Sequence, residues 1–131
     1  MGKKKKTILY FIIILLLFIV HPAIYPSHAQ ESISPEDAPK HIGENQTVCG
    51  TVASTFYYFK GKGKPTFINL NKPYPGQIFT ILIWGSDRDK FEAAPEKMYK
   101  DKNVCVSGEI ISFKGTPEIV VKNPSQIKFK Q

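Results

Sequence analysis

From Thr47 onward, hydrophobic and polar positions alternate with a period of two, the pattern of strands that bury one face and wet the other. Val48, Gly50 and Val52 alternate with Cys49, Thr51 and Ala53, in a run that continues to about Phe59. Lys60-Gly61-Lys62-Gly63-Lys64 then turns the chain. Residues 66–69 form a second strand, residues 71–76 a Pro-rich connection, and residues 77–84 a third strand that Gly85 ends. Alternation returns over residues 103–113, with Val104, Val106 and Ile110 on one side. Lys114-Gly115-Thr116-Pro117 reads as a hairpin turn and residues 118–122 as the last full strand, stopped by Asn123-Pro124. A short closing segment carries Ile127 and Phe129.

Two stretches break this period. Ser34-Pro35-Glu36-Asp37-Ala38 has the form of a helix start, with Ser as cap, Pro at the first position and acids in the first turn; Gly43 would end it. Between the third and fourth strands, Ser86-Asp87-Arg88-Asp89 opens a second helix with Asp89 at the capping-box position. Phe91, Ala94 and Met98 or Tyr99 fall on one face of that segment, and Pro95 divides it into two turns.

The N-terminus follows another logic. Lys3 to Lys6 precede a continuous apolar run from Ile8 to Val20, then His21-Pro22 and the small-residue pattern Ser27-His28-Ala29. That is the grammar of a secretory signal peptide over residues 1–29, cleaved between Ala29 and Gln30, with an uncleaved N-terminal anchor as the alternative. The run is short of the roughly 20 apolar residues that span a bilayer, so no stable membrane insertion is expected after cleavage. Four lysines leave with the signal. The mature chain keeps 14 basic and 11 acidic residues, a net charge of +3 instead of +7. A polyanion partner must therefore be argued from local clustering of charge. Residues 30–33 read as a flexible tail, and residues 34–131 suffice for one small domain.

Three strands, a helix and two strands is the element order of a five-stranded oligonucleotide/oligosaccharide-binding (OB) barrel, with a helix-packed meander as its structural rival. The long first strand favours the barrel, since it could bend to serve both ends. The expected fold class is all-β with one or two short helices. Thr47-Val48-Cys49-Gly50-Thr51-Val52, Lys64-Pro65-Thr66-Phe67-Ile68-Asn69-Leu70, Phe79-Thr80-Ile81-Leu82-Ile83-Trp84-Gly85, Val104-Cys105-Val106-Ser107-Gly108-Glu109-Ile110 and Asn123-Pro124-Ser125-Gln126-Ile127 together resemble small exported bacterial OB-fold proteins of the nucleic-acid-binding, anticodon-binding-like type. The resemblance covers nearly all of residues 34–129. Similar modules accompany some secreted nucleases, so it implies an exported nuclease as a protein partner.

The candidate chemistry lies around the first loop, where five aromatics flank three lysines that alternate with two glycines. Lysines neutralise phosphates, and aromatic faces accept unpaired bases. If Val48, Gly50 and Val52 face inward, strict alternation turns Phe56 and Tyr58 inward and leaves Tyr57 and Phe59 outside; a bulge in the long strand would reverse this. On the second strand Ile68 and Leu70 point in, and Phe67 and Asn69 out. On the third, Phe79, Ile81 and Ile83 form the apolar row, leaving Thr80, Leu82 and Trp84 outside. The expected site is thus Tyr57, Phe59, Phe67 and Trp84 for stacking, with Lys60, Lys62, Lys64 and Lys114 for phosphates. The bland alternative is that the aromatics plug the barrel ends and the lysines are merely solvated.

Cys49 and Cys105 lie on the first and fourth strands, neighbours in an OB barrel, with the same parity. A disulfide needs only the right register; the alternative is two half-buried thiols. A metal site of His41 with both cysteines fits no standard spacing, and neither metal nor cofactor is expected. Arg88, the only arginine, is expected to pair with an acid, and Asp87, Asp89, Glu92 and Glu96 are spaced as a solvated helix face. Nucleases on OB barrels cluster acids and arginines around phosphate, a pattern missing here, so no catalysis is expected. The expectation is an exported, periplasmic or extracellular, non-enzymatic module for single-stranded nucleic acid or another flexible polyanion. The runner-up is a periplasmic stress or interaction module that meets a protein or an envelope glycan.

Overall fold

A strand of 13 residues, β1 (Asn45–Tyr57), organises the fold because it serves two partners in succession. Its first half pairs antiparallel with β4 (Asn103–Glu109), and its second half with β2 (Thr66–Leu70). The computed structural model describes residues 31–131. The expected signal segment and its cleavage point lie outside the described residues.

From β2 the sheet continues to β3 (Thr80–Ile83), which pairs in parallel with β6 (Thr116–Val120). β6 forms a hairpin with β5 (Ile111–Phe113) through a two-residue turn at Lys114-Gly115. Both turn residues have positive φ, 49° and 82°, the backbone twist that tight antiparallel hairpins prefer. β7 (Ile127–Phe129) lines the far side of β4, giving the order β5-β6-β3-β2-β1-β4-β7. Because β4 runs straight on into β5, one stretch of chain links the two sides of this order, and β4 also contacts β6. The sheet thereby wraps into an OB-like barrel.

Seven strands form where five were expected. The expected fourth strand divides at Ile110, whose N–H and C=O bond Glu44 and Gly43, and the closing segment becomes β7. Alternation along residues 103–113 could not show this split, because the apolar period continues through it.

The inner rows read from the sequence do form the core. Val48, Ile68, Leu70, Phe79, Ile81, Ile83, Val104, Val106 and Ile110 are fully buried, joined by Val52, Ile119 and Val121. Each large aliphatic or aromatic side chain buried this way contributes about 1.5–3 kcal/mol.

The helices are shorter than expected. Near the start, only Ala38–His41 forms, as a 3-10 turn, and Ser34 Oγ accepts from the Asp37 N–H one turn earlier. After β3, Gly85–Lys90 is a 3-10 helix without a side-chain cap, so the Ser86–Asp89 capping box is not made. A single α-helical turn, α1 (Pro95–Met98), follows. Pro95 accounts for the interruption, since its ring excludes the helical conformation from Ala94, which sits at φ −56°, ψ 115°.

Candidate functional site

One irregularity in β1 decides which aromatics reach the outer face. Val52 pairs with Leu70, but Ser54 pairs with Asn69, so Ala53 is an extra residue and the alternation inverts beyond it. Phe56 and Tyr58, expected inside, are therefore 58% and 47% exposed. They lie together on the outer face, ring centroids 6.0 Å apart and nearly parallel. Tyr57, expected outside, turns the other way and stacks under the Arg88 guanidinium at 3.6 Å. Arg88 also donates to both oxygens of Glu96, at 2.8 and 3.3 Å, and to Thr66 Oγ1. Burial would raise the Glu96 carboxyl, yet the Arg88 hydrogen bonds hold it below its ordinary value. Tyr57 and Arg88 thus anchor α1 against the barrel. Phe59 is exposed and packs toward Tyr57, outside the groove described below.

The loop over residues 58–65 explains its own glycines. A Cβ on Gly61 would sit 2.4 Å from the Tyr58 ring, and one on Gly63, at φ +75°, would sit 2.9 Å from Trp84. Two aromatic rings therefore lie flat on the loop, and Gly85 N–H donates to Gly63 C=O at 2.9 Å. Trp84, expected as a stacking residue, supports the loop and does not line the groove. Lys60, Lys62 and Lys64 alternate with these glycines, and all three are exposed. None of them makes an ion pair among the described residues. Lys114 stands at the tip of the β5–β6 hairpin, its ammonium 5.4 Å from the Phe113 ring.

Between these two loops runs a groove of about 850 Å³ across the outer faces of β1, β2, β3, β6 and β5. Its walls are aromatic, formed by Phe56, Tyr58, Phe67, Tyr74 and Phe113, and Lys114 closes one rim. Its floor is a polar row that register places side by side: Ser54 opposite Asn69, Asn69 opposite Thr80, Thr80 beside Glu118. Thr80 Oγ1 donates to Asn69 Oδ1 at 2.8 Å, and Asn69 Nδ2 donates to Ser54 Oγ at 3.0 Å. Ser54 Oγ also accepts from the Tyr74 N–H at 3.1 Å, tying the β2–β3 connection to the floor. Glu118 is only 5% exposed, and burial pushes its carboxyl above the ordinary range. Gln77 adds a buried Oε1 with no hydrogen-bond partner among the described residues.

Of the residues expected at the site, the structure brings Phe67 and Lys114 into the groove and leaves Lys60, Lys62 and Lys64 on the loop beside it. It takes away Tyr57, Phe59 and Trp84. Sequence reasoning missed Phe56, Tyr58, Tyr74 and Phe113, and although it placed Asn69 and Thr80 on the outer face it did not see them join Ser54 and Glu118 in one polar floor. Glu118 was within reach, since Thr116 and Glu118 alternate with buried Pro117 and Ile119 on one strand.

Cys49 and Cys105 face each other in register and are joined, with S–S 2.04 Å. Both sulfurs are thereby consumed, and His41 instead meets Glu44 at 2.7 Å, so the three-ligand set weighed for a metal is not formed.

No family model matches the chain, and no curated protein matches it. Solved structures do. Asparaginyl-tRNA synthetase from Pyrococcus horikoshii aligns with a TM-score of 0.51 at 14% identity, over 78% of this chain and 23% of its own. Aspartyl tRNA synthetase from Entamoeba histolytica aligns with a TM-score of 0.53 at 18% identity, over 79% of this chain and 22% of its own. The chain thus spans less than a quarter of either enzyme. At such identities the likeness is one of fold, and it agrees with the OB-like topology.

Proposed function

We propose that the protein is an exported, non-enzymatic OB module that binds single-stranded nucleic acid or a similar flexible polyanion. The observation that carries this reading is the aromatic groove set between two lysine-bearing loops. On OB barrels ligands lie across the second and third strands, gripped by the loops at either end. Phe67, Phe56, Tyr58 and Phe113 supply flat faces for unpaired bases, while Lys60, Lys62, Lys64 and Lys114 stand where a strand's phosphates would pass. Two solved structures of like fold are enzymes named for tRNA, which supports a nucleic-acid partner over other polyanions. An exported nuclease as protein partner and an envelope location belong to the same proposal.

The experiment is a titration of the mature protein with fluorescent oligothymidine at several salt concentrations. Four lysine–phosphate contacts on a single strand predict a log–log salt slope of about −3, an affinity loss on the order of 50-fold between 50 and 200 mM salt. Replacing Lys60, Lys62 and Lys64 together by alanine should flatten that slope to about −1. An unchanged slope, or no binding at low salt, sinks the reading. The alternative, a stress or interaction module for a protein or glycan, would instead show binding that salt barely affects.

A further inference from the structure

The groove floor carries a carboxyl that its neighbours leave unpaired. Thr80, beside Glu118 in register, spends its hydrogen on Asn69, and Asn69 spends an amide hydrogen on Ser54, so neither of these hydrogens reaches Glu118. Among the described residues, the Glu118 carboxyl has no hydrogen bond and no ion pair, and the residue, which lines the groove, is only 5% exposed. Gln77 Oε1, buried in the same groove, has no donor either. A buried polar group without a partner costs about 1–3 kcal/mol, more when charged, so a guest that brings donors recovers it. A phosphate cannot be that guest, because it brings only acceptors and negative charge. Phosphates belong at the lysine rim, and something flat with a donor edge belongs between the aromatic walls.

We propose that the groove seats a guanine base, whose Watson–Crick edge is read by Glu118; this rests on the single-strand reading above. Guanine presents N1–H and N2–H side by side, which match the two oxygens of one carboxylate in parallel. The second N2 hydrogen remains for Gln77 Oε1. Thymine and uracil place one N3–H between two carbonyls that the carboxylate repels. Adenine and cytosine each offer one amino group beside a ring-nitrogen acceptor. An arginine guanidinium carries a similar donor pair and also stacks on aromatics, but the lysines at both rims repel a cationic guest. The buried acid is therefore a specificity-determining residue, and Phe67 and Phe113 give the base its walls.

The test compares binding of the mature protein to oligothymidine 11-mers whose central base is thymine, adenine, guanine or hypoxanthine. Hypoxanthine keeps N1–H but lacks the 2-amino group. A bidentate contact is worth about 1–3 kcal/mol, so guanine should bind on the order of 5- to 150-fold tighter than thymine or adenine. Hypoxanthine should lose most of that gain, a result that needs no change to the protein. Glu118→Gln should abolish the guanine preference, bringing the ratio of guanine-oligomer to all-thymine affinity to about one. Equal affinity for all four central bases, or a preference that survives Glu118→Gln, overturns the proposal while leaving single-strand binding intact. If no oligomer binds, both readings fall together. Tighter binding of an arginine-containing peptide than of the guanine oligomer overturns the proposal in favour of a peptide ligand.

Discussion

Tyr57 and Phe67 lie on neighbouring strands, but they have opposite duties. Phe67 faces the groove and should carry stacking, so Phe67→Ala should weaken oligonucleotide binding by about 1–3 kcal/mol, on the order of 5- to 150-fold, without unfolding the protein. Tyr57→Ala should do the reverse: it strips the ring beneath Arg88, lowering the melting temperature while affinity stays close to that of the parent. Fluorescence titration and thermal melts on both variants separate the roles. Glu118 makes a further prediction through pH. Its folded carboxyl titrates above its unfolded value, so the folded state binds more protons and stability falls as pH rises through that range. Glu118→Gln should therefore melt above the parent near pH 7, and the gap should close toward pH 4. Glu96 acts in the opposite sense. Its folded carboxyl is held low, so it adds stability above its unfolded value that is lost as pH falls through the folded one.

Among the elements, the β1–β2 loop and the β1 bulge shape the site most. Gly63 combines a positive φ with a Trp84 ring where a side chain would begin. Gly63→Ala should cost about 1–3 kcal/mol, measured by denaturant melts, and should weaken binding by displacing Lys62 and Lys64. A polar Lys-Gly-Lys-Gly-Lys run marks a turn in any sequence, but only the folded loop shows that each glycine lies under an aromatic ring. The bulge is harder to read. Val48, Gly50 and Val52 carry the alternation correctly, yet nothing in Ala53-Ser54-Thr55 marks where an extra residue enters. Strict parity then assigns Phe56, Tyr57 and Tyr58 to the wrong face. Strands without a bulge, β2 and β3, had their inner rows read correctly from Ile68, Leu70, Phe79, Ile81 and Ile83, although Leu82, expected outside on β3, is buried.

For the whole molecule, the disulfide and the closure of the barrel act together. Cys49 and Cys105 are 56 residues apart in sequence and join β1 to its paired neighbour β4, the strand that runs on into β5. Chain entropy alone assigns a bridge over such a loop about 4 kcal/mol, so replacing both cysteines by serine should lower unfolding free energy by up to about that amount. Chemical denaturation of the oxidised protein and the double variant would measure it. The groove should survive in folded material, since its residues lie on the opposite half of β1 and on β2, β3, β5 and β6. Sequence by itself determined the period, the strand rows, the order of elements and the parity that lets the cysteines meet, because each depends on local alternation and turn chemistry. Only the tertiary structure decided the register at Ala53, the division of the fourth strand at Ile110, and the convergence of Ser54, Asn69, Thr80 and Glu118 in one floor. Those depend on hydrogen-bond pairing between segments distant in the chain, where a shift of one residue exchanges the two faces of a strand.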